Sequence, residues 1–232
     1  MKPHYQIPIA DCGEPLLPIP LEAFTVVQPH PYQSLGAPYG ERSPYYLRQS
    51  VLARLLAAQQ TLQTVRPGWQ IQIFDAYRPL AVQQFMVDYT YQQLLTAEGY
   101  DPAQLSSTVQ QRLLARVYQF WAPPSDNPQM PPPHSTGAAV DVTLTDATQQ
   151  PVPMGSDIDE LSERSYPNYF ATRPDAGHYH ANRTLLAEIM GQAGFCQHPN
   201  EWWHFSYGDQ LWAWLRQPSA AVTARYGAAA KR

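Results

Sequence analysis

The sequence predicts an α+β fold, and two observations carry that prediction. Segments with helical apolar spacing are interspersed with short stretches of strand character, and the two kinds do not alternate in the regular βα order of a parallel sheet. Proline adds a third: 24 of the 232 residues imply long, stiffened loops rather than a compact helical bundle. The length suits a single domain over 1–232 with ample chain for a buried core.

Residues 1–45 read as irregular and rich in Pro and Tyr, with a short strand around Phe24–Val27. From Tyr46 to Val65 the apolar residues Leu47, Val51, Leu55, Leu56 and Leu62 recur at helical spacing, and Pro67-Gly68 stops that helix. Trp69–Phe74 alternates apolar and polar, so it reads as a strand with one buried face. Pro79 disfavours helix at Arg78 and opens the next helix, over about 80–97. A further helix spans about 103–121, carrying Leu105, Val109, Leu113, Leu114, Val117 and Phe120. The loop Pro123–Pro133 is too rich in proline to continue it. Ala138–Leu144 reads as a strand, Asn182–Ala193 as a helix closed by Gly194, and Trp202–Tyr207 as a buried strand. The Ala-rich tail, about 217–232, is expected to be poorly anchored.

Composition excludes several function classes. The net charge is −4 and no basic run interrupts it, so no nucleic-acid partner is indicated. No stretch approaches the ~20 apolar residues of a membrane span. Cys12 and Cys196 read as free thiols in a reducing compartment. The expected location is the cytoplasm, or the periplasm if a signal peptide has been removed.

Three segments carry chemistry: Pro133-His134-Ser135-Thr136-Gly137-Ala138-Ala139-Val140-Asp141, Glu201-Trp202-Trp203-His204, and Asp75-Ala76-Tyr77-Arg78-Pro79. A catalytic zinc takes three protein ligands and leaves a fourth position open, and His134, Asp141 and His204 would supply such a set. Asp141 lies seven positions after His134, about 23 Å along a strand or about 10 Å along a helix. Ligands to one ion therefore require a bend, and Gly137 is the residue to make it. Glu201 and His204 would point to opposite faces of an ideal strand, so an irregularity is expected there as well. A carboxylate near the metal can carry protons, and Arg78 offers a donor fork suited to an oxyanion. Each residue alone has a plainer reading: Asp141 in a turn, Arg78 in a surface ion pair, the Trp202–Trp203 pair as core. His178 and His180 form an i,i+2 pair that could also bind metal.

At these residues the chain resembles the D-alanyl-D-alanine dipeptidases of the vancomycin-resistance (VanX) type. The family pattern is Ser-x-His-x-x-Gly-x-Ala-x-Asp followed by Glu-x-x-His. His134, Gly137, Ala139 and Asp141 match the first part, Glu201 and His204 the second. Tyr77-Arg78-Pro79, Met154-Gly155, Glu163-Arg164-Ser165 and Asn182-Arg183 extend the resemblance over roughly residues 45–210.

The resemblance implies a small antiparallel sheet flanked by helices. It also implies one Zn2+ on His134, Asp141 and His204, Glu201 as general base and acid, and Arg78 stabilising the transition state. Asp159 would meet the amine of a small dipeptide substrate. The family serine two residues before the first His is Pro132 here, which has neither a side-chain donor nor an N–H. Ser135 or Thr136 is then the expected partner of the substrate carboxylate. Rival expectations are a D,D- or L,D-carboxypeptidase acting on muropeptides, with an open cleft, and a non-catalytic zinc-stabilised binding module.

Overall fold

The structure is a computed structural model that describes residues 2–216 and 222–229. In chain order its strands are β1 (Leu16–Pro18), β2 (Thr25–Val26), β3 (Tyr46–Arg48), β4 (Gln70–Asp75), β5 (Ala139–Thr145), β6 (Cys196–Gln197) and β7 (His204–Ser206). Its helices are α1 (Pro31–Ser34), α2 (Gln49–Val65), α3 (Leu80–Ala97), α4 (Ser107–Phe120), α5 (Gly177–Gln192) and α6 (Gln210–Arg216).

Of the apolar stripe expected on α2, Val51, Leu55 and Leu62 are buried, joined by Leu52 and Ala58, while Leu56 is half-buried. Tyr46–Arg48, expected as its first turn, instead pairs antiparallel with β1. The third long helix starts at Ser107 rather than 103, because Pro102–Gln104 closes a 3-10 turn and the Ser106 side chain caps the helix at Val109 N–H. α5 starts five residues before the expected Asn182, and α6 was not foreseen. The strand expected over Trp202–Tyr207 is ordered as strand only at His204–Ser206.

Five strands form one sheet in the order β2-β4-β5-β7-β6. It is antiparallel from β4 to β6, as expected of the sheet that carries the site, and β2 joins the β4 edge in parallel. On one face Ile71 and Ile73 of β4 lie opposite Leu144 and Val142 of β5. Together with Val140 they pack in one core with Val51, Leu55 and Leu62 of α2 and Leu186, Ile189 and Met190 of α5. Each such fully buried aliphatic side chain contributes about 1.5–3 kcal/mol. A second core joins Val82, Met86 and Val87 of α3 with Leu113 and Val117 of α4, Trp121, Tyr32 and Tyr39.

The far end of the chain corrects another expectation. Ala224 and Tyr226 are fully buried. Ala224 bridges to Ile9, Tyr226 OH donates to Glu14 Oε2 at 3.0 Å, and Ala229 N–H donates to the Ser135 carbonyl at 2.9 Å. Small alanines leave no apolar pattern to read, yet they let this backbone lie flat against the N-terminal segment. Residues 217–221 and 230–232 of the expected loose tail lie outside the described residues. No described helix is long and apolar enough to cross a membrane. Cys12 and Cys196 are both free.

Candidate metal centre and active site

Pro132 and Pro133 lead into a 3-10 turn over Pro133–Thr136, and Gly137 ends it at φ 71°. This is the bend that the spacing required. A Cβ at Gly137 would run into the side chain of Leu16, so glycine is favoured by both conformation and space. The chain then enters β5, where Asp141 lies directly opposite His204 of β7. Glu201 precedes that strand, separated from it by a turn at Trp202 and Trp203, so the parity of a straight strand does not apply to it.

His134 Nε2 lies 3.2 Å from His204 Nδ1 and 3.2 Å from Asp141 Oδ2, and His204 Nδ1 lies 3.0 Å from Asp141 Oδ1. Proton positions follow from the outer contacts. His134 Nδ1 faces the Ala76 carbonyl at 2.7 Å, and a carbonyl only accepts, so the ring proton sits on Nδ1. His204 Nε2 lies 3.2 Å from Ser206 Oγ. A serine hydroxyl can accept as well as donate, so the tautomer with Nε2–H donating to Ser206 Oγ leaves the Nδ1 lone pair toward Asp141.

Both neutral imidazoles therefore turn a lone pair toward a carboxylate. Three Lewis bases converging without a proton repel one another unless a cation sits among them. Ligands 2.0–2.1 Å from a tetrahedral zinc stand about 3.3 Å apart, close to the separations seen here. The outward N–H bonds are those that orient metal-binding histidines. The residues thus fit a metal, and His134, Asp141 and His204 are grouped as a possible metal site, all three buried.

Around this cluster stand the other candidates. Glu201 Oε2 lies 3.8 Å from His204 Nδ1, and its Oε1 lies 3.5 Å from His198 Nδ1. Burial, then the Asp141 charge, pushes the Glu201 carboxyl well up. Arg78 is buried with Nε 3.0 Å from Asp75 Oδ2, Nη1 2.9 Å from Gln83 Oε1, and Nη2 3.2 Å from both Tyr32 OH and Asp141 Oδ2. A guanidinium has five N–H donors, so one Nη1 hydrogen remains for the cavity. Asp159 has φ 65°, a left-handed backbone that non-glycine residues adopt at a cost, and its Oδ2 accepts from Tyr32 OH at 2.8 Å. Burial and the Asp141 charge raise its carboxyl to about 7.

The family model for D-ala-D-ala dipeptidases matches residues 25–224. A D-alanyl-D-alanine dipeptidase of Synechocystis is 51% identical over 98% of this chain and 96% of its own length. The chain belongs to this metallopeptidase family. A D-alanyl-D-alanine dipeptidase of Enterococcus faecium is 31% identical over 72% of this chain and 73% of its own. Among solved structures, the LD-carboxypeptidase LdcB aligns over 85% of this chain and 69% of its own, at TM-score 0.45 and 13% identity.

Within this family member, His134, Asp141, His204, Glu201, Arg78 and Asp159 all line one small cavity, of about 40 Å³. Phe120, Trp121, Trp203 and Leu211 supply its apolar walls. Ser135 and Thr136 do not line it. Their hydroxyls donate to the carbonyls of Arg78 (2.8 Å) and Pro133 (2.6 Å), so the expectation that they meet a substrate carboxylate is corrected. His178 is exposed on α5, where i,i+2 residues diverge, and His180 is only partly buried; neither joins the metal cluster.

Sequence reasoning gave no role to Tyr32, Asp75, His198, or the lining residues Lys2, His4 and Tyr5. Asp75 stands in the segment already singled out for Arg78 and could have been suspected. The N-terminal residues had no signal beyond being a His and a Lys in a Pro-rich stretch.

Proposed function

We propose that this protein hydrolyses the D-alanyl-D-alanine dipeptide with one zinc ion held by His134, Asp141 and His204. The observation that carries this reading is the trio of inward lone pairs in a small cavity that also holds Glu201 and Asp159. Its 51% identity to a D-alanyl-D-alanine dipeptidase supports the substrate class. Zinc at that position would supply Lewis acidity, polarising a carbonyl and acidifying water.

The remaining work falls to protein groups. Asp159, fixed by Tyr32, accepts the substrate ammonium. The free Nη1 hydrogen of Arg78 donates to the peptide oxygen as it gains charge, while Asp75 and Gln83 hold the guanidinium still. Glu201 takes a proton from the attacking water and passes it to the departing amine nitrogen. Trp121, Trp203 and Phe120 exclude bulk water. By analogy within the family, the role is recycling of cell-wall dipeptide or control of its pool.

The test is amine release from free D-Ala-D-Ala, with and without chelator, together with zinc content. We expect chelator-sensitive turnover, and a Glu201→Ala variant that keeps zinc while kcat falls by roughly 10²–10⁴. Turnover unchanged in that variant would remove Glu201 from the mechanism. The rival carboxypeptidase reading needs an open cleft, and the small walled cavity disfavours it. A D-Ala-terminated pentapeptide should therefore be a poor substrate.

A further inference from the structure

The cavity wall nearest Glu201 and Pro133 is built by a segment outside the family match. Lys2, His4 and Tyr5 line the cavity, whereas the match begins at residue 25. His4 and Tyr5 also share a smaller adjoining cavity with Pro131 and Pro133, beside the position of the missing serine. The segment is anchored along its length. Its 3-10 turn, Pro3–Gln6, packs on α6, and Gln210 Nε2 donates to the Ile7 carbonyl at 2.6 Å. Ala224 N–H donates to the Pro8 carbonyl at 2.8 Å, and Ala10 N–H donates to the Ala224 carbonyl at 2.9 Å. Lys2 therefore reaches the cavity from a fixed backbone.

A dipeptide is a zwitterion, and its two ends need opposite partners. Asp159 is one. For the carboxylate, Pro132 offers no donor, and the Ser135 and Thr136 hydroxyls are committed to carbonyls. Among the described residues lining the cavity, Lys2 and Arg78 are the basic side chains besides histidine, and Arg78 gives its one free N–H to the peptide oxygen. The close contacts of Glu201 are to the imidazoles of His198 and His204; burial lowers the Lys2 amine and the Glu201 charge opposes that, so a carboxylate beside Lys2 would favour its ammonium form.

We propose that Lys2, with the imidazole N–H of His4 beside it, binds the C-terminal carboxylate of the substrate. The inference rests on the dipeptidase reading and adds a specificity residue to it. Supporting it, burial and then the Lys2 charge lower the His4 ring to about 4, so that it stands neutral with one N–H to donate.

The experiment compares D-Ala-D-Ala with its C-terminal amide on wild type, Lys2→Met and Lys2→Arg. A charged hydrogen bond predicts that Lys2→Met raises KM for the acid roughly tenfold or more, leaves the amide unchanged, and leaves kcat unchanged. Lys2→Arg restores most of the acid preference. An acid-to-amide ratio unaltered in Lys2→Met would overturn the proposal. So would a fall in kcat shared by both substrates, which would make Lys2 a partner of Glu201 instead. Calorimetric binding of acid and amide to the zinc-loaded Glu201→Ala protein, with and without Lys2→Met, reads the same discrimination without turnover. Absent turnover in wild type with intact, Lys2-dependent binding would sink the hydrolysis alone; absent binding of the acid would sink both.

Discussion

Asp75 and Asp141 face each other across β4 and β5, both at 2% exposure or less, yet their surroundings are opposite. Asp75 is enclosed by donors: Arg78 Nε at 3.0 Å, Tyr39 OH at 3.0 Å and His30 Nε2 at 3.1 Å. Asp141 has one guanidinium contact, at 3.2 Å, and otherwise meets two imidazole lone pairs. A buried carboxylate needs compensating charge or hydrogen bonds. Asp75 finds both within the protein, and despite burial the Arg78 charge holds its carboxyl low. Asp141 finds only part of them, and a bound cation would supply the rest. Two aspartates in adjacent positions thus divide into an anchor for Arg78 and a candidate ligand.

Breaking each aspartate should separate these roles. Asp141→Asn should give the largest effect: zinc content, read by metal analysis, falls toward zero and dipeptide hydrolysis falls to background. Asp75→Asn should keep zinc but release Arg78. Removing one partner of a buried ion pair costs about 3–5 kcal/mol, at the low end here because Arg78 retains Asp141. Calorimetry should then show Tm lower by roughly 6–12 °C, and kcat should fall roughly 10–100-fold as for other supporting contacts. Loss of zinc in Asp75→Asn equal to that in Asp141→Asn would erase the distinction between them. The smallest effect belongs to Ser206→Ala, which removes the acceptor of His204 Nε2–H. Chelator competition should read zinc affinity about tenfold weaker, with Tm little changed.

Much of this arrangement was legible from local chemistry. The bend at Gly137 followed from the distance between His134 and Asp141, and the irregularity before His204 followed from strand parity. The division of Asp75 and Asp141 was not legible. It depends on a β-bulge: Ile73 pairs with Val142, yet Asp75 pairs with Asp141, so one residue is absorbed and Asp75 turns to the metal face. An unbroken strand would place it with Ile71 and Ile73, at the same parity. His30 and Tyr39, which complete the Asp75 enclosure, come from a stretch whose sequence reads only as irregular loop. Lys2 and His4 reach the cavity because Ile9 bridges to Ala224, a contact more than 200 residues apart in sequence that no local periodicity reports.

The sequence by itself determined the α+β class, the long helices, and the candidate ligands with their spacing. Helical and strand periodicities, turn residues and donor chemistry act over a few neighbouring residues, so they survive in a one-dimensional reading. Tertiary structure decided which carboxylate is enclosed and which meets the lone pairs, that Ser135 and Thr136 spend their hydroxyls on the backbone, and that the N-terminal segment walls the cavity. Each of these depends on where distant backbone segments come to rest, and that is set by the packing of two cores and the register of one sheet.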